Sequence, residues 1–417
     1  MKESLINNRK IVFPKFNRIF ILFGLSTFFI AIADSIMSYF VPIVITEVGF
    51  TNTEMGLLYA SSSIFGAIFD FILSKTLKST NYKRMYLYTI LLGIVFPLLL
   101  FTNSIFWFYL MAMMIWGLYY NIWNFGYYDF VAREQKTGSH ASSFGFLSMF
   151  NDLGYVIGPL IAAQFVLREG SLFPIVTPIF GFFLGMLFLI GIYLIQKKAR
   201  KKNKLISDEN GRNVTFLKEA GLWLKIGRHM WPVLLLGTFL SITEAVYWTV
   251  TPLLEDVSTN LAHFGGIIMA ASLAPSLFIN WSVGVFTSKF GQKYTAYVSF
   301  LLSNLILLTV GFVSDPYIII ILIFLSSLFE ALAFPAIAGA VADYLKESKS
   351  FDNEILSVKD FFGNVGYIIG PIFAGIMLDE IGSLMIFTYF AAIGLFVSLI
   401  LIFFSPKSID FHDRSIK

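Results

Sequence analysis

Apolar runs separated by short polar clusters occupy nearly the whole chain. Each run is about 20 residues or longer, enough to cross about 30 Å of hydrocarbon as a helix rising about 1.5 Å per residue. Within the runs polar and apolar positions do not alternate, so they do not read as the strands of an outer-membrane barrel. In lipid each backbone group must be paired inside its own segment, which leaves the α-helix. The pattern predicts an all-α membrane protein of twelve transmembrane helices, centred near residues 32, 64, 93, 118, 155, 184, 243, 275, 304, 330, 367 and 393.

Composition strengthens this reading and excludes other classes. Of 417 residues, 57% are hydrophobic and 13% charged, about half the charge share of soluble domains. There is no cysteine, which excludes disulfides, thiol catalysis and cysteine-held metal. His140, His229, His263 and His412 stand singly, never at metal-ligand spacing. No G-x4-G-K-[ST] loop and no nucleophile–base motif occurs, so neither an ATP-driven pump nor an enzyme is expected. No metal, cofactor or nucleic-acid partner is expected either. The basic residues Lys2, Arg9, Lys10, Lys15 and Arg18 lead into a span too long for a cleavable signal.

Charge then orients the spans. With the first segment cytoplasmic, inner segments hold 28 of the 30 lysines and arginines. Of the other two, Lys359 lies within span eleven and Arg168 falls outside. The outer loops carry Glu47, Glu54, Glu169, Glu255, Asp256, Asp315, Asp379 and Glu380. This asymmetry predicts a multi-pass protein of the cell (inner or plasma) membrane with both termini cytoplasmic. Residues 197–229 read as a basic cytoplasmic linker between two six-helix bundles, 1–196 and 230–417. Within the linker, Phe216, Leu217, Leu222 and Leu224 are spaced for an amphipathic helix lying on the membrane.

The halves repeat each other. "GYVIGPLIAAQF" starts at Gly154 and "GYIIGPIFAGIM" at Gly366, so Gly154, Gly158 and Pro159 recur as Gly366, Gly370 and Pro371. Arg18, Asp34 and Pro42 recur as Arg228, Glu244 and Pro252, and Asp129 as Asp343. Two six-helix units in the same orientation form a parallel repeat, which places a substrate pathway between them near the midplane.

This plan resembles the major facilitator superfamily over nearly the whole chain, and the resemblance implies two pseudo-symmetric six-helix bundles. In span five, Gly145, Gly154, Gly158, Pro159, Ala162 and Ala163 fit G-x8-G-x3-G-P-x2-[GA]-[GA]. That pattern is similar to the motif of the superfamily's drug:proton antiporters. A glycine stripe lets helices approach closely, and the proline bends the span, so these residues and their repeats are gating candidates. "GVFTSKFGQK", from Gly284 to Lys293, resembles the superfamily signature G-x3-D-[RK]-x-G-x-[RK]. It adds Ser288, Lys289, Gly291 and Lys293 to the gating set, with serine where the signature has an acid. The corresponding first-half loop lacks the turn glycine, and span four lacks the arginine usual in such antiporters.

Acids inside the membrane are costly and mark pathways or proton relays. Asp34 and Glu244 fall near mid-span in equivalent positions, where, facing each other across a central cavity, they can hold protons or attract a cationic group. Asp152, Glu330, Lys359 and Asp360 join them as coupling or substrate candidates; Lys359 reads as a buried cation able to neutralise Asp152 or Glu330. Asp70, Asp129 and Asp343 lie near Lys75, Arg133 and Lys346 and read as helix caps or gate salt bridges. Span four aligns Trp116, Tyr120, Trp123 and Tyr127 at helical spacing beside Asn121 and Asn124. With Tyr247, Trp248 and Asn280, these are cavity candidates that can stack on a flat solute and orient it by hydrogen bonds. The same stripe also fits an interfacial aromatic belt.

The function expected is secondary active transport by alternating access, as proton-coupled efflux of small amphipathic compounds. The partners expected are a small-molecule substrate, protons and the bilayer, with the chain a monomer. A proton-coupled sugar or polar-solute symporter and a lipid flippase stay open as alternatives.

Overall fold

The computed structural model describes residues 18–76, 81–101, 105–134, 140–165, 172–198, 216–256, 264–279, 282–348 and 351–406. Six helices build the first half: α1 (Arg18–Glu47), α2 (Asn52–Thr76), α3 (Tyr82–Leu100), α4 (Phe106–Glu134), α5 (His140–Ala163) and α6 (Phe173–Lys198). The second half holds α7 (Phe216–Val250), α8 (Gly265–Leu273), α9 (Pro275–Ile279), α10 (Val283–Phe290), α11 (Gln292–Leu307), α12 (Pro316–Glu347), α13 (Asp352–Ile381) and α14 (Ser383–Phe404). Among the described residues there is no strand.

Nine of the described helices are long and apolar enough to cross a membrane, and the broken series α8 to α10 stands where span eight was expected. Helices α2 and α4, of 25 and 29 residues, complete the twelve; their polar and charged residues dilute the apolar signal without shortening the helix. Span eight is interrupted at Pro275, which opens α9 and cannot donate into the turn before it, and α10 then sets off at 68° to the Gly265–Ile279 segment. Helix α7 runs unbroken for 35 residues from Phe216. The segment expected to lie flat on the membrane is therefore continuous with span seven, and only the linker residues before 216 fall outside the described chain.

Local chemistry sets the ends. The Asp315 carboxylate caps α12, accepting from the Tyr317 and Ile318 amides at 2.9 and 3.1 Å, with Pro316 at the first helical position. Gly291 turns the chain between α10 and α11 at φ 83°, in the left-handed region that suits glycine. That is the glycine the signature pattern singled out.

Helix α1 packs against α5 and α6, α3 against α4 and α6, and α2 against α4; in the second half α7 packs along α13, and α11 against α12 and α14. Glycines make the tight approaches inside each half. A side chain at Gly154 would meet Phe28 and Ala31 of α1, and one at Gly366 would meet Thr238 and Ser241 of α7. The halves meet where α2 runs along α13 and α5 along α8. At these crossings Gly56 lies on the Pro371 carbonyl and Gly266 on the Pro159 carbonyl. Gly56 and Gly266 are themselves 210 residues apart, the displacement that relates Asp34 to Glu244. The repeat thus builds two equivalent crossings, each a glycine of one half under a Gly-Pro carbonyl of the other.

Candidate functional site

A cavity of about 310 Å³ lies between the halves, lined from α1, α2, α4, α5, α7 and α13. Its wall is aromatic and polar. Tyr59, Trp116, Tyr120, Tyr155, Trp248 and Tyr367 supply rings, and Asn121, Asn124, Asn364 and three serines supply amides and hydroxyls. The lining residues include one charged side chain, Glu244, and no lysine, arginine or histidine.

The two mid-span acids have different places. Glu244 stands in the wall, where the Tyr367 hydroxyl donates to its Oε2 at 2.6 Å. Asp34 is 1% exposed and lies one layer behind the wall. Three wall residues hold it: Trp116 Nε1 donates to Oδ1 at 3.2 Å, and the Tyr120 and Tyr155 hydroxyls donate to Oδ2 at 2.9 and 2.6 Å. The two acids therefore do not face each other across open space, as expected from the sequence; a layer of rings screens Asp34. The physical reason is that a carboxylate inside a membrane must be hydrogen-bonded, and α4 and α5 bring three neutral donors to it.

Tyr155 and Tyr367 occupy the same place in the repeat, each following the first glycine of its G-Y-x-I-G-P segment. Sequence reasoning passed them by because aromatic residues make up 18% of the chain; the repeat itself was the signal. Tyr155 also packs edge-on against Trp248 of the other half, with ring centroids 5.9 Å apart. Tyr59 stacks on Trp116 at 5.5 Å, extending the flat wall.

Of the other cavity candidates, Tyr120, Asn121, Asn124 and Trp248 line the space. Asn121 also donates to the Gly66 carbonyl at 2.5 Å, tying α4 to α2. Trp123 does not line it: its Nε1 turns to the Tyr86 hydroxyl at 3.2 Å inside the first bundle. Tyr247 does not line the space either: it is buried beside Ser326 and Ser327 of α12. Asn280 lies outside the described residues.

The remaining charges separate by place. Glu330 is buried off the cavity and accepts from the Ser303 hydroxyl at 3.0 Å. Asp152 is half-buried on α5, within electrostatic reach of Glu244, while its repeat partner Asn364 lines the cavity. Lys359 is not a buried cation: its side chain is 48% exposed and pairs at 2.8 Å with Asp360 beside it, which corrects its assignment to Asp152 or Glu330. Its place on α13 turns it away from the bundle interior. Asp70 is exposed on α2 within electrostatic reach of Asp360.

Asp129 pairs with Arg133 at 2.7 Å and accepts from the Tyr82 amide at 2.7 Å, closing the start of α3. Asp343 makes an exposed pair with Lys346 at 3.3 Å. The Ser288 hydroxyl returns to the Val285 carbonyl at 3.0 Å, while Lys289 and Lys293 lie over the rings of Phe290 and Tyr344 at 5.2 and 5.1 Å.

One contact between the halves has no counterpart in the sequence reading. Asp379, at the end of α13, accepts from the amide and side chain of Asn52 at 3.2 and 2.8 Å and from those of Thr53 at 2.9 and 2.6 Å. A carboxylate of the second half thus caps α2 of the first, on the face where α1 joins α2.

The profile of the Major Facilitator Superfamily matches residues 23–261 and 233–414. No curated protein sequence matches the chain. Among solved structures, the chain is similar to the nucleoside transporter NupG, with a TM-score of 0.68 at 14% identity, covering 92% of this chain and 98% of that one. It is also similar to a POT family transporter in complex with a thioalcohol-conjugated peptide, with a TM-score of 0.70 at 14% identity over 93% and 96% of the two chains. A bacterial homolog of the human lysosomal transporter Spinster, in an inward-facing and unoccupied conformation, gives 0.66 at 12% identity over 92% and 94%.

Proposed function

Because this chain belongs to the Major Facilitator Superfamily and is a multi-pass membrane transporter, we propose that it is a proton-coupled secondary transporter that exports small amphipathic compounds by alternating access. The observation that carries the reading is the pair of tyrosine-held carboxylates, Asp34 and Glu244, one in each half around a single cavity without a basic lining residue. A buried acid with only neutral donors can gain or lose a proton, which changes the net charge of the cavity. The solute occupies the aromatic wall; the halves rock about the α2–α13 and α5–α8 crossings and expose the cavity to alternate sides. The lysine and arginine distribution supports a cell-membrane protein with both termini on the cytoplasmic side. A cavity lined entirely between the two halves of one copy supports a monomer as the transport unit.

A polar-solute symporter is the second reading, supported by the amides and hydroxyls among the rings. The about 310 Å³ volume, at the small end of ligand pockets, weighs against a two-chain lipid as cargo. Proteoliposomes with an internal pH dye test both readings against cationic, sugar and lipid-like compounds. Proton flux driven by an amphipathic compound and lost in Asp34→Asn and Glu244→Gln is the expected result. Full flux in both variants sinks proton coupling at these acids, and flux driven by a sugar alone selects the second reading.

A further inference from the structure

The second half holds a buried acid that the central cavity leaves unused. Glu330 lies near the middle of α12, 8% exposed and off the cavity wall. Ser326 and Ser327 stand one turn before it on the same helical face, Ser303 comes from α11, and Tyr247 comes from α7. The Ser303 hydroxyl donates to Glu330 Oε1 at 3.0 Å and lies 2.9 Å from Ser326 Oγ. Ser326 in turn donates to the Ser303 carbonyl at 3.1 Å. The hydroxyls of Tyr247 and Ser327 are buried, each residue 2% exposed, and reach no group at full hydrogen-bond geometry although they lie beside one another. Tyr247 lies beside Ser326 and Ser327 and within electrostatic reach of Glu330.

This cluster is poorly satisfied as an ordinary structural feature. Among the described residues Glu330 makes no ion pair with a lysine, arginine or histidine. A buried carboxylate without a basic partner and two buried hydroxyls short of full hydrogen bonding are each costly. Four hydroxyls and one carboxylate, from three helices, match the needs of a small hard cation. A single carboxylate balances one positive charge, which points away from calcium and magnesium. A proton needs one acceptor and leaves the converging hydroxyls unexplained.

We propose that Glu330, Ser303, Ser326, Ser327 and Tyr247 form a sodium site behind the wall of the central cavity. Tyr247 follows Glu244 by three residues on α7, so an ion held there bears directly on the helix that carries the cavity's carboxylate. The site goes beyond the reading of the central cavity and does not depend on proton coupling at Asp34.

The test uses the purified full chain in detergent at fixed pH. Its melting temperature is compared in sodium chloride and choline chloride at equal ionic strength, and sodium is titrated by tryptophan fluorescence. Sodium is expected to raise the melting temperature by about 2–5 °C with a saturable fluorescence change. Glu330→Gln is expected to abolish both responses, and Asp34→Asn to keep both, whatever its effect on proton flux. Ser327→Ala keeps the carboxylate and is expected to weaken sodium about tenfold; it carries the test if Glu330→Gln does not fold. Equal melting in the two salts, a sodium response that survives Glu330→Gln, or unchanged affinity in Ser327→Ala overturns the site. A response to pH alone that is lost in Glu330→Gln makes Glu330 a proton store and also overturns it.

Discussion

Tyr367 and Tyr155 make the same 2.6 Å hydrogen bond to Glu244 and Asp34, yet they are not equally replaceable. Asp34 keeps the Trp116 and Tyr120 donors when Tyr155 becomes Phe, whereas Glu244 keeps only the Trp248 indole beside it when Tyr367 does. A hydrogen bond to a charged group contributes about 1.5–3 kcal/mol, so Tyr367→Phe is expected to cut coupled flux by about tenfold or more. Tyr155→Phe is expected to cost about threefold at most, because the remaining donors share the load. Initial rates of compound-driven proton flux decide this, and equal losses in the two variants contradict it. The acids were legible from their distance to the charged helix ends, since a midplane carboxylate has few explanations. Their tyrosines were not, because spacing in one helix says nothing about which ring reaches across to another. The same limit misplaced Lys359: its depth along α13 was readable, but the side of the helix it occupies depends on packing.

At the scale of helices, the Gly-Pro repeat reads from sequence as a bend, and the structure gives it a second role. The carbonyl of each proline sits on a glycine of the opposite half, with Gly56 under Pro371 and Gly266 under Pro159. Asp379 then caps α2 on the same face, so the α2–α13 crossing is closed by packing and by four hydrogen bonds. Either Gly56→Ala, whose Cβ meets the Pro371 carbonyl, or Asp379→Ala is expected to shift the population toward states open on this face. The chain has no cysteine, so spin labels on cysteines introduced at the exposed Glu54 and Glu380 report the crossing directly. Longer distances in both variants are expected, with little change in solute affinity; an unaltered distribution removes the crossing from the gate. Pro159→Ala is expected to act likewise at α5 and α8. The glycine partners were hidden in the sequence because single glycines in apolar helices are common, and only contact with the other half gives these two a reason. Span eight and α7 differ in the opposite way: their apolar content was legible, but whether a helix bends, as after Ile279, or runs on, as at Phe216, is decided by packing.

Across the whole molecule the two halves share a plan but divide the work. The first half hides its acid behind Trp116, Tyr120 and Tyr155, while the second half presents Glu244 to the cavity and keeps Glu330 buried behind its wall. A solute in the cavity meets the field of Glu244 directly and that of Asp34 only through a layer of rings. Binding and coupling should therefore separate by half. Glu244→Gln is expected to weaken a cationic amphipathic compound by about tenfold, the scale of one close charge pair in a partly dry site, and to impair proton flux as well. Asp34→Asn is expected to leave equilibrium binding within about twofold, because no lining atom carries the change, while abolishing the coupled flux. Anionic analogues of the same compound should compete poorly with the parent chain, since the lining offers no basic residue, and should gain in Glu244→Gln. Equilibrium binding by tryptophan quenching in detergent, set beside flux in liposomes, reads both quantities on the same variants. If Asp34→Asn lowered affinity as much as Glu244→Gln, the ring layer would not insulate Asp34, and both acids would belong to the solute site.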